Sequence, residues 1–346
     1  MRSRNAASAA IFCCALLVAL PVSAADHSDQ PVPVLDLLQR MNRALQTLDY
    51  KGTFVYLHEG ELEAMHVVHR VDERGGEERL TSLTGPLREV VRRHKTVECI
   101  LPRKQLVVVD EYHADSRFPM IMPAGSDAQE LGKYYSLRRL GQQRTAGREC
   151  VVVAVQPKDQ YRYGYRLWLD SKTNLLLRSE LINAEGDTIE RVMFTHIEMP
   201  QQIPPDAVRP TIDSSGFARR PRNGGSAPAA PGSGVAIEVA TLPPGFALTV
   251  DESQHIGADG PPVRHLVFSD GLASLSVFAA PYTAGKDVLH GASQRGSVNA
   301  YGRVLEGYQV TVVGDVPAET VEMVAQSVRL AGEKTRAGER GAADGN

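Results

Sequence analysis

The sequence predicts an α+β protein, in which a large antiparallel half-barrel covered by helices is followed by a smaller C-terminal α/β sandwich-like domain. Three observations lead to this prediction. An amphipathic helix pattern opens the mature chain, hairpin patterns recur from Lys51 to Met199, and further hairpins with a final helix follow a stretch rich in glycine and proline. Consecutive hairpins pair antiparallel strands, whereas parallel strands need long crossover connections.

The first residues have the pattern of a secretory signal peptide. Arg2 and Arg4 precede an apolar run from Ala9 to Leu20, and Val22-Ser23-Ala24 supplies the small residues that signal peptidase recognises. The run is shorter than the roughly 20 residues that span a bilayer. We therefore expect cleavage near Ala24 and a soluble protein exported from the cytoplasm; an anchored form is the alternative.

The mature chain is expected to begin with a helix. Its apolar residues recur at steps of three and four, namely Val34, Leu35, Leu38, Met41, Leu45 and Leu48. This spacing places one apolar stripe along a helix. The stripe requires an apolar surface, which the following strands can supply.

Strand patterns dominate the next part of the chain. The segment GTFVYLHEGELEAMHVVHRV predicts two strands joined at Glu59-Gly60, and YRYGYRLWLD alternates with Tyr163 and Tyr165 on one face and Trp168 on the other. A meander of such hairpins curls into a twisted half-barrel when one face must be covered. The opening helix is the natural cover.

A composition change marks the end of this part. Residues 211–235 are dominated by glycine, proline, serine and alanine, as in a linker. Beyond them, Asp270-Gly271 is a strong hairpin signal, and a helix is predicted from Pro317 to about Leu330. The expected organisation is a signal peptide (1–24), a half-barrel domain (25–210), a linker (211–235), a small domain (236–331) and a disordered tail (332–346).

Charge and motifs exclude several classes of function. The formal net charge is −3, so nothing indicates a nucleic-acid-binding protein. The sequence has no phosphate-binding, dinucleotide-binding or nucleophile-elbow motif, and no residues with convincing metal-ligand spacing. We therefore predict a binding protein with no catalytic residues, metal or cofactor.

The cysteines allow two interpretations. Cleavage of the signal removes Cys13 and Cys14, which leaves Cys99 and Cys150 in the mature chain. In an oxidising compartment these two could form a disulfide. Both lie in apolar strand patterns, where buried thiols are also common.

Aromatic residues on the predicted strands indicate either ordinary core or a cavity for an apolar ligand. Phe54 and Tyr56 share one face of the first strand, and Val55 and Leu57 share the other. A strand that is apolar on both faces is covered on both sides or lines a ligand cavity. The candidate lipid-binding residues are Phe54, Tyr56, Tyr163, Tyr165, Trp168 and Phe194.

Several longer motifs point to a family. They are YKGTFVYLHEG, EVVRR, YYSLRRLGQQRTAGREC, PKDQYRYGYRLWLD and LINAEGDTIERVMFTHI in the first part, and LPPGF, SDGLASLSVF and VTVVGDVPAETVEMVAQSVRL in the second. Together, in this order and over nearly the whole mature chain, they resemble the RseB/MucB family of periplasmic sigma-E regulators.

The resemblance implies a half-barrel like that of the lipoprotein carriers LolA and LolB. It implies binding to the periplasmic domain of an RseA/MucA-like anti-sigma factor, protection of that factor from regulated proteolysis, and release when lipid or lipopolysaccharide fragments bind. The candidate partner-binding residues are Phe246, Asp270, Gly271 and Leu272, although both motifs that contain them also fit simple turns.

The alternative function is a periplasmic lipid or lipoprotein carrier of the LolA/LolB type. The apolar half-barrel motivates it, because a carrier needs the same cavity. The oligomeric state is left open, a homodimer included.

Overall fold

Two antiparallel sheets carry the fold of this chain. The structure, a computed structural model, describes residues 32–111, 128–221, 234–255, 261–285 and 288–330. The predicted signal peptide, residues 222–233 of the predicted linker and the predicted tail lie outside the described residues.

Twelve strands form the large sheet. Their bounds are β1 Tyr50–His58, β2 Glu61–Asp72, β3 Gly75–Ser82, β4 Glu89–Arg93, β5 Thr96–Leu101, β6 Leu106–Glu111, β7 Tyr135–Thr145, β8 Arg148–Pro157, β9 Gly164–Asp170, β10 Leu176–Ile182, β11 Thr188–Glu198 and β12 Ala218–Pro221.

In space the large sheet has the order β12-β6-β5-β4-β3-β2-β1-β11-β10-β9-β8-β7. Neighbours are antiparallel except β12, which pairs with β6 in parallel and comes from the stretch expected to be linker. The order has two ends among the described strands, so the sheet is open. The predicted fold class, a large open antiparallel sheet with a smaller sheet after it, is confirmed.

Cross-strand register shows which side chains share a face of the large sheet. Phe54 lies opposite Phe194 on β11 and opposite Met65 on β2, and Val67 lies opposite Leu80 on β3. We call the face that carries these residues the inner face. The opposite side is the outer face.

Helix α1 (Val34–Thr47) covers part of the inner face, as its apolar stripe predicted. Its buried residues are Leu37, Leu38, Met41, Ala44 and Leu45. Leu45 lies against the inner face, where it borders a small cavity with Phe54 and Phe194. The other helices are α2 (Ala128–Tyr134) and α3 (Ala318–Ser327), with short 3-10 turns at Pro102–Lys104 and Pro205–Val208.

The segment after β11 is fastened to the outer face by a buried carboxylate. Glu89 is fully buried and accepts hydrogen bonds from the Thr211 backbone N–H (2.8 Å), the Thr211 hydroxyl (2.8 Å) and the Ile212 N–H (3.2 Å). Ile203 and Val208 pack against Val68 beside it. This part of the outer face is therefore covered by the chain itself.

Six strands form the small sheet, in the order β14-β15-β16-β19-β18-β17. Their bounds are β14 Ala247–His255, β15 Pro262–Ser269, β16 Ser274–Pro281, β17 Gly291–Arg295, β18 Val298–Leu305 and β19 Tyr308–Gly314, and a separate pair is formed by β13 Ile237–Val239 and β20 Val328–Leu330. Helix α3 contributes Val321, Val324 and Ala325 to the core of this sheet. None of the described helices combines the length and apolar character needed to cross a bilayer.

Candidate functional site

The inner face holds a small apolar cavity under α1. Its volume is about 30 Å³, and it is lined by Leu45, Tyr50, Phe54, Val67, Glu78, Leu80, Leu175, Val192 and Phe194. The rings of Phe54 and Phe194 meet edge to face, with centroids 5.7 Å apart. This space is about that of one water molecule. An acyl chain could occupy it only if α1 moved away from the sheet.

A much larger groove opens at one end of the same sheet. Its volume is about 860 Å³, between the β1–β2 hairpin, the β3–β4 turn and the 3-10 turn at Pro102–Lys104. Leu62 and Leu87 line it and are 58% and 48% exposed. Arg103 and Lys104 lie at its rim. Apolar side chains beside cations suit an amphiphile with an anionic headgroup.

The groove and the cavity lie along one path. Glu63 lines the groove and Val67 lines the cavity, and these residues lie four apart on β2. Residues an even number apart on a strand point to the same face. A molecule that entered at the groove would therefore approach the cavity without crossing the sheet.

Tyr56 links the inner face to the small sheet. Its hydroxyl donates to Glu190 on β11 (2.9 Å), and the other oxygen of Glu190 accepts the backbone N–H of Ser297 (3.2 Å). Glu59 accepts the N–H of Gly296 beside it (2.6 Å). Burial raises the pKa of Tyr56, and the hydrogen bond to Glu190 adds to this effect. The β17–β18 turn is thus held by two carboxylates of the large sheet.

Tyr163 makes a second polar contact in the same region. Its hydroxyl accepts a hydrogen bond from the Asn299 side chain (2.9 Å), which also donates to the Val316 carbonyl (2.8 Å). Asp315 lies nearby, and one of its oxygens is buried without a hydrogen-bond partner. Burial raises the pKa of Asp315, a hydrogen bond from Ser297 opposes the rise, and the Glu190 carboxylate adds to it.

A buried arginine forms another connection between the sheets. Arg162 donates to Asp270 and to the Pro244 carbonyl (2.6 Å), and the side chains of Arg162 and Asp270 are both fully buried. The Tyr135 hydroxyl also donates to Asp270 (2.8 Å). The guanidinium lies 5.1 Å from the ring centre of Phe246, within the range of a cation–π contact.

Gly245 completes this connection. A Cβ at this position would collide with the ring of Tyr134, and the backbone has a φ of +85°. Both facts restrict the site to glycine. We use the name seam for the contacts that join the large sheet to the small one. They are the Arg162–Asp270 pair, the Glu190–Ser297 hydrogen bond and the contacts beside them.

The structure corrects one member of the predicted lipid-binding set. Phe54, Tyr56 and Phe194 share the inner face, and Tyr165 lies on the same face, opposite Val155 on β8 and Leu181 on β10. Tyr163 lies just before β9, in the seam. Trp168 lies opposite Val152 and Arg178 on the outer face. There the Arg178 guanidinium covers its ring at 4.0 Å and its indole N–H donates to Gln143 (2.9 Å). Trp168 therefore cannot line the inner cavity.

The predicted partner-binding residues also lie differently from the expectation. Phe246 belongs to the core of the small sheet, and the Asp270 carboxylate already accepts hydrogen bonds from Arg162 and Tyr135. Gly271 has a φ of +95°, and the N–H of Leu272 donates to Asp270 (2.8 Å). These residues build a turn that is closed by the seam, so an external partner does not reach Phe246 or Asp270 in this arrangement.

The disulfide that the sequence allowed is absent. Cys99 lies on β5 and Cys150 on β8, and they are not joined. Seven strands separate β5 from β8 in the sheet order. A disulfide needs Cα atoms within roughly 7 Å, which neighbouring strands satisfy and such distant ones rarely do.

One group of described residues could by its geometry hold a metal ion, namely Asp72, Glu77 and His94. Their ligand atoms lie within 4.8 Å of one another. However, Arg70 already donates to Glu77 (2.7 Å) and to Asp72 (3.4 Å). The guanidinium supplies the positive charge there, and the group is a partly buried ion-pair network.

Sequence reasoning missed Arg162, Glu190 and Asn299 as residues of the seam. Arg162 had a local signal, since a cation between Tyr161 and Tyr163 is unusual on an apolar strand. Glu190 and Asn299 had none. Their partners lie 107 and 136 residues away in the chain.

The ion pairs of Glu180 should make the stability of the fold depend on pH. Glu180 is almost fully buried on β10 and binds Arg178 and Arg191, the latter at 2.6 Å. Burial acts to raise the pKa of Glu180, but the hydrogen bonds from the arginines outweigh it and hold the pKa below its ordinary 4.5. A depressed pKa stabilises the fold above about pH 4.5, and this contribution is lost as the pH falls through the folded-state pKa.

We therefore expect Glu180→Gln to be less stable than the wild type at pH 7, with the difference shrinking below pH 4. Urea unfolding from pH 3 to pH 7 measures it. Glu185→Gln, in the turn after β10, is the control. An equal loss at pH 3 and pH 7 would contradict the ion-pair explanation.

Comparison with known proteins adds a family to this geometry. Residues 33–212 match the family model of the MucB/RseB N-terminal domain, and residues 234–329 match that of the MucB/RseB C-terminal domain. The chain belongs to the MucB/RseB family. The resemblance predicted from its motifs is confirmed.

Curated members of the MucB/RseB family are similar over most of their length. The chain is 35% identical to the sigma factor AlgU regulatory protein MucB of Pseudomonas aeruginosa, over 91% of this chain and 96% of that protein. It is 27% identical to the sigma-E factor regulatory protein RseB of Escherichia coli K12, over 85% of this chain and 90% of that protein.

Solved structures of MucB have the same fold. The complex of Pseudomonas aeruginosa MucA and MucB matches with a TM-score of 0.67 and 32% identity, over 86% of this chain and 98% of that chain. MucB in complex with the periplasmic part of MucA matches with a TM-score of 0.66 and 32% identity, over 86% and 99%. The named relatives of this chain are thus regulators of sigma factors.

Proposed function

We propose that this chain is a periplasmic negative regulator of a sigma-E envelope-stress response. It binds the periplasmic domain of a MucA- or RseA-like anti-sigma factor and protects that factor from regulated proteolysis. The observation that carries the proposal is the match to MucB bound to the periplasmic part of MucA, over 86% of this chain. The secretory signal pattern ending near Ala24 supports the same compartment.

The experiment is co-purification of the mature chain with the periplasmic segment of the MucA-like protein encoded in the same genome. A stable complex is expected. A folded chain that does not retain the segment would contradict the proposal. No catalysis is assigned, in line with the regulatory names of the relatives.

We also propose that a lipid or a lipopolysaccharide fragment triggers release. The 860 Å³ groove has the size of a ligand site and combines exposed leucines with Arg103 and Lys104. Tyr56 lies opposite Glu63 of the groove and two residues from Phe54 of the cavity, so a lipid passing from one to the other would meet its side chain. Displacing Tyr56 would remove its hydrogen bond to Glu190, whose other oxygen binds Ser297 of the small sheet.

Leu87→Glu tests the lipid site. A carboxylate in the groove should weaken binding of a fluorescent acyl lipid at least about tenfold, because burying a charge against acyl chains is costly. Leu87 is 48% exposed, so the fold should tolerate the change. Leu248→Glu, at a site 50% exposed on the small sheet, is the matched control. Equal lipid affinity of the two variants would contradict this site.

The alternative function is a lipid or lipoprotein carrier, which the groove also favours. A carrier needs the large sheet alone. A truncated chain ending after Pro221, which keeps the contacts of Thr211 and Ile212 with Glu89 and the pairing of β12 with β6, should then transfer lipid between vesicles as fast as the full chain, whereas a regulator needs both sheets to release its partner. The same truncation tests the proposed division into domains 25–210 and 236–331, which the two separate family matches support.

A further inference from the structure

A row of arginines crosses the outer face of the large sheet. Cross-strand pairing aligns one residue from each of five neighbouring strands, β7 to β11: Arg138, Ala154, Arg166, Glu180 and Arg191. The row continues into Leu57 on β1 and Leu62 on β2. Arg178, on the same face, lies beside it and binds Glu180.

Positive charge exceeds negative charge strongly along this row. Arg166, Arg178 and Arg191 share one carboxylate, Glu180, whose side chain is 2% exposed, and Arg138 donates to the neutral side chain of Gln156. The side chains of Arg166 and Arg191 remain 38% and 35% exposed. The whole chain has a formal net charge of −3. This face is therefore positively charged, although the chain as a whole is slightly negative.

A cavity lies between the first two arginines of the row. Its volume is about 370 Å³, with the small residues Ala154 and Gly164 and the apolar side chains of Leu140 and Ile182 among its lining. Asp159 is the carboxylate in the lining, and Arg162 binds it at 3.0 Å. Arg138, in the lining, donates to the neutral Gln156 (2.7 Å), and Arg166, also in the lining, lies 3.7 Å from Glu180, a carboxylate that it shares with two other arginines. Both arginines therefore keep positive charge that an external anion can bind.

The spacing of the arginines suits an extended peptide. Adjacent strands lie about 4.8 Å apart, so Arg138, Arg166 and Arg191 recur at about 10 Å, and an extended chain covers that distance in about three residues. Arginine binds carboxylates in a two-pronged geometry that adds specificity. A single lipid headgroup would use one of these positions, whereas a peptide with recurring acidic residues would use all three.

We propose that the outer face of β7 to β11 is a docking surface for an acidic, extended segment of a protein partner. Carboxylates of the segment pair with Arg138, Arg166 and Arg191, and one of its side chains enters the 370 Å³ cavity. The surface rests on the proposed function in one respect, namely that the MucA-like periplasmic segment is the partner. It replaces the closed turn at Asp270 as the place of contact.

The test measures binding of that segment by calorimetry to the full mature chain and to three variants. Arg138→Glu should weaken binding about tenfold, and Arg166→Gln should weaken it in the same direction. Arg139→Glu makes the same charge change one residue away, on the opposite face, where Arg139 pairs with Val153. Its affinity should stay within about twofold of the wild type.

The outcomes separate this surface from the proposed function. If the wild type fails to bind the segment, both are overturned. If the wild type binds and Arg138→Glu binds as well as Arg139→Glu, only the surface is overturned. If Arg138→Glu loses affinity for phosphatidylglycerol vesicles but keeps its affinity for the segment, the face binds anionic lipid and the peptide proposal is wrong.

Discussion

Replacing Arg162 with methionine should lower the free energy of unfolding by about 3 kcal/mol or more. The substitution leaves the fully buried Asp270 carboxylate without its cation, and breaking one partner of a buried pair typically costs about 3 to 5 kcal/mol. It also removes the hydrogen bond to Pro244 and the contacts with the rings of Tyr134, Tyr135 and Phe246. Denaturant unfolding, followed by circular dichroism, measures the loss.

Two further variants separate charge from packing. Arg138→Met removes an exposed arginine that bonds Gln156 and should cost less than about 0.5 kcal/mol. Adding Asp270→Asn to Arg162→Met should recover part of the loss, because the amide removes the uncompensated charge and can still accept the turn N–H groups. If Arg162→Met is as stable as Arg138→Met, the seam does not depend on this pair.

Replacing Glu89 with alanine should have the second-largest effect, about 3 kcal/mol. Its carboxylate satisfies two backbone N–H groups and a hydroxyl in residues 211–212, and it faces Arg79 at 3.4 Å. Without it these donors are buried without partners, each at a cost of about 1 to 3 kcal/mol unless water enters. We expect earlier unfolding and faster proteolysis near residues 203–212.

Glu98→Ala is the matched control for Glu89→Ala. Glu98 lies on the neighbouring strand and pairs with Arg219 at the surface. Exposed ion pairs contribute about 0 to 1 kcal/mol, so this variant should remain close to the wild type. Equal stability of the two alanine variants would show that Glu89 does not fasten the segment.

The fold class and the opening helix could be predicted because their signals are local. The apolar stripe of α1 depends on helical spacing alone, and the hairpin at Glu59-Gly60 depends on strand alternation and a turn. The parallel pairing of β12 with β6 had no such signal. Its register, Ala218 opposite Leu106, joins residues more than a hundred positions apart, in a stretch whose composition indicated a linker.

The site was predicted only in part, for the same reason. Alternation correctly placed Trp168 on the face opposite Tyr163, but it could not tell which face α1 covers. Asp270-Gly271 was recognised as a turn, and a turn is usually exposed. Its burial depends on Arg162, which is 108 residues away in the chain. Contacts of this kind follow from the packing of the two sheets, and local patterns in a single sequence cannot predict them.

The most direct test of the central claim is the rate at which a protease cleaves the periplasmic segment of the MucA-like partner. With the mature chain at ten times the dissociation constant, about nine-tenths of the segment is bound, so cleavage should slow about tenfold. Addition of an acyl lipid that binds the chain should restore the original rate. Cleavage at the same rate with and without the chain, under conditions where it is folded, would contradict the account.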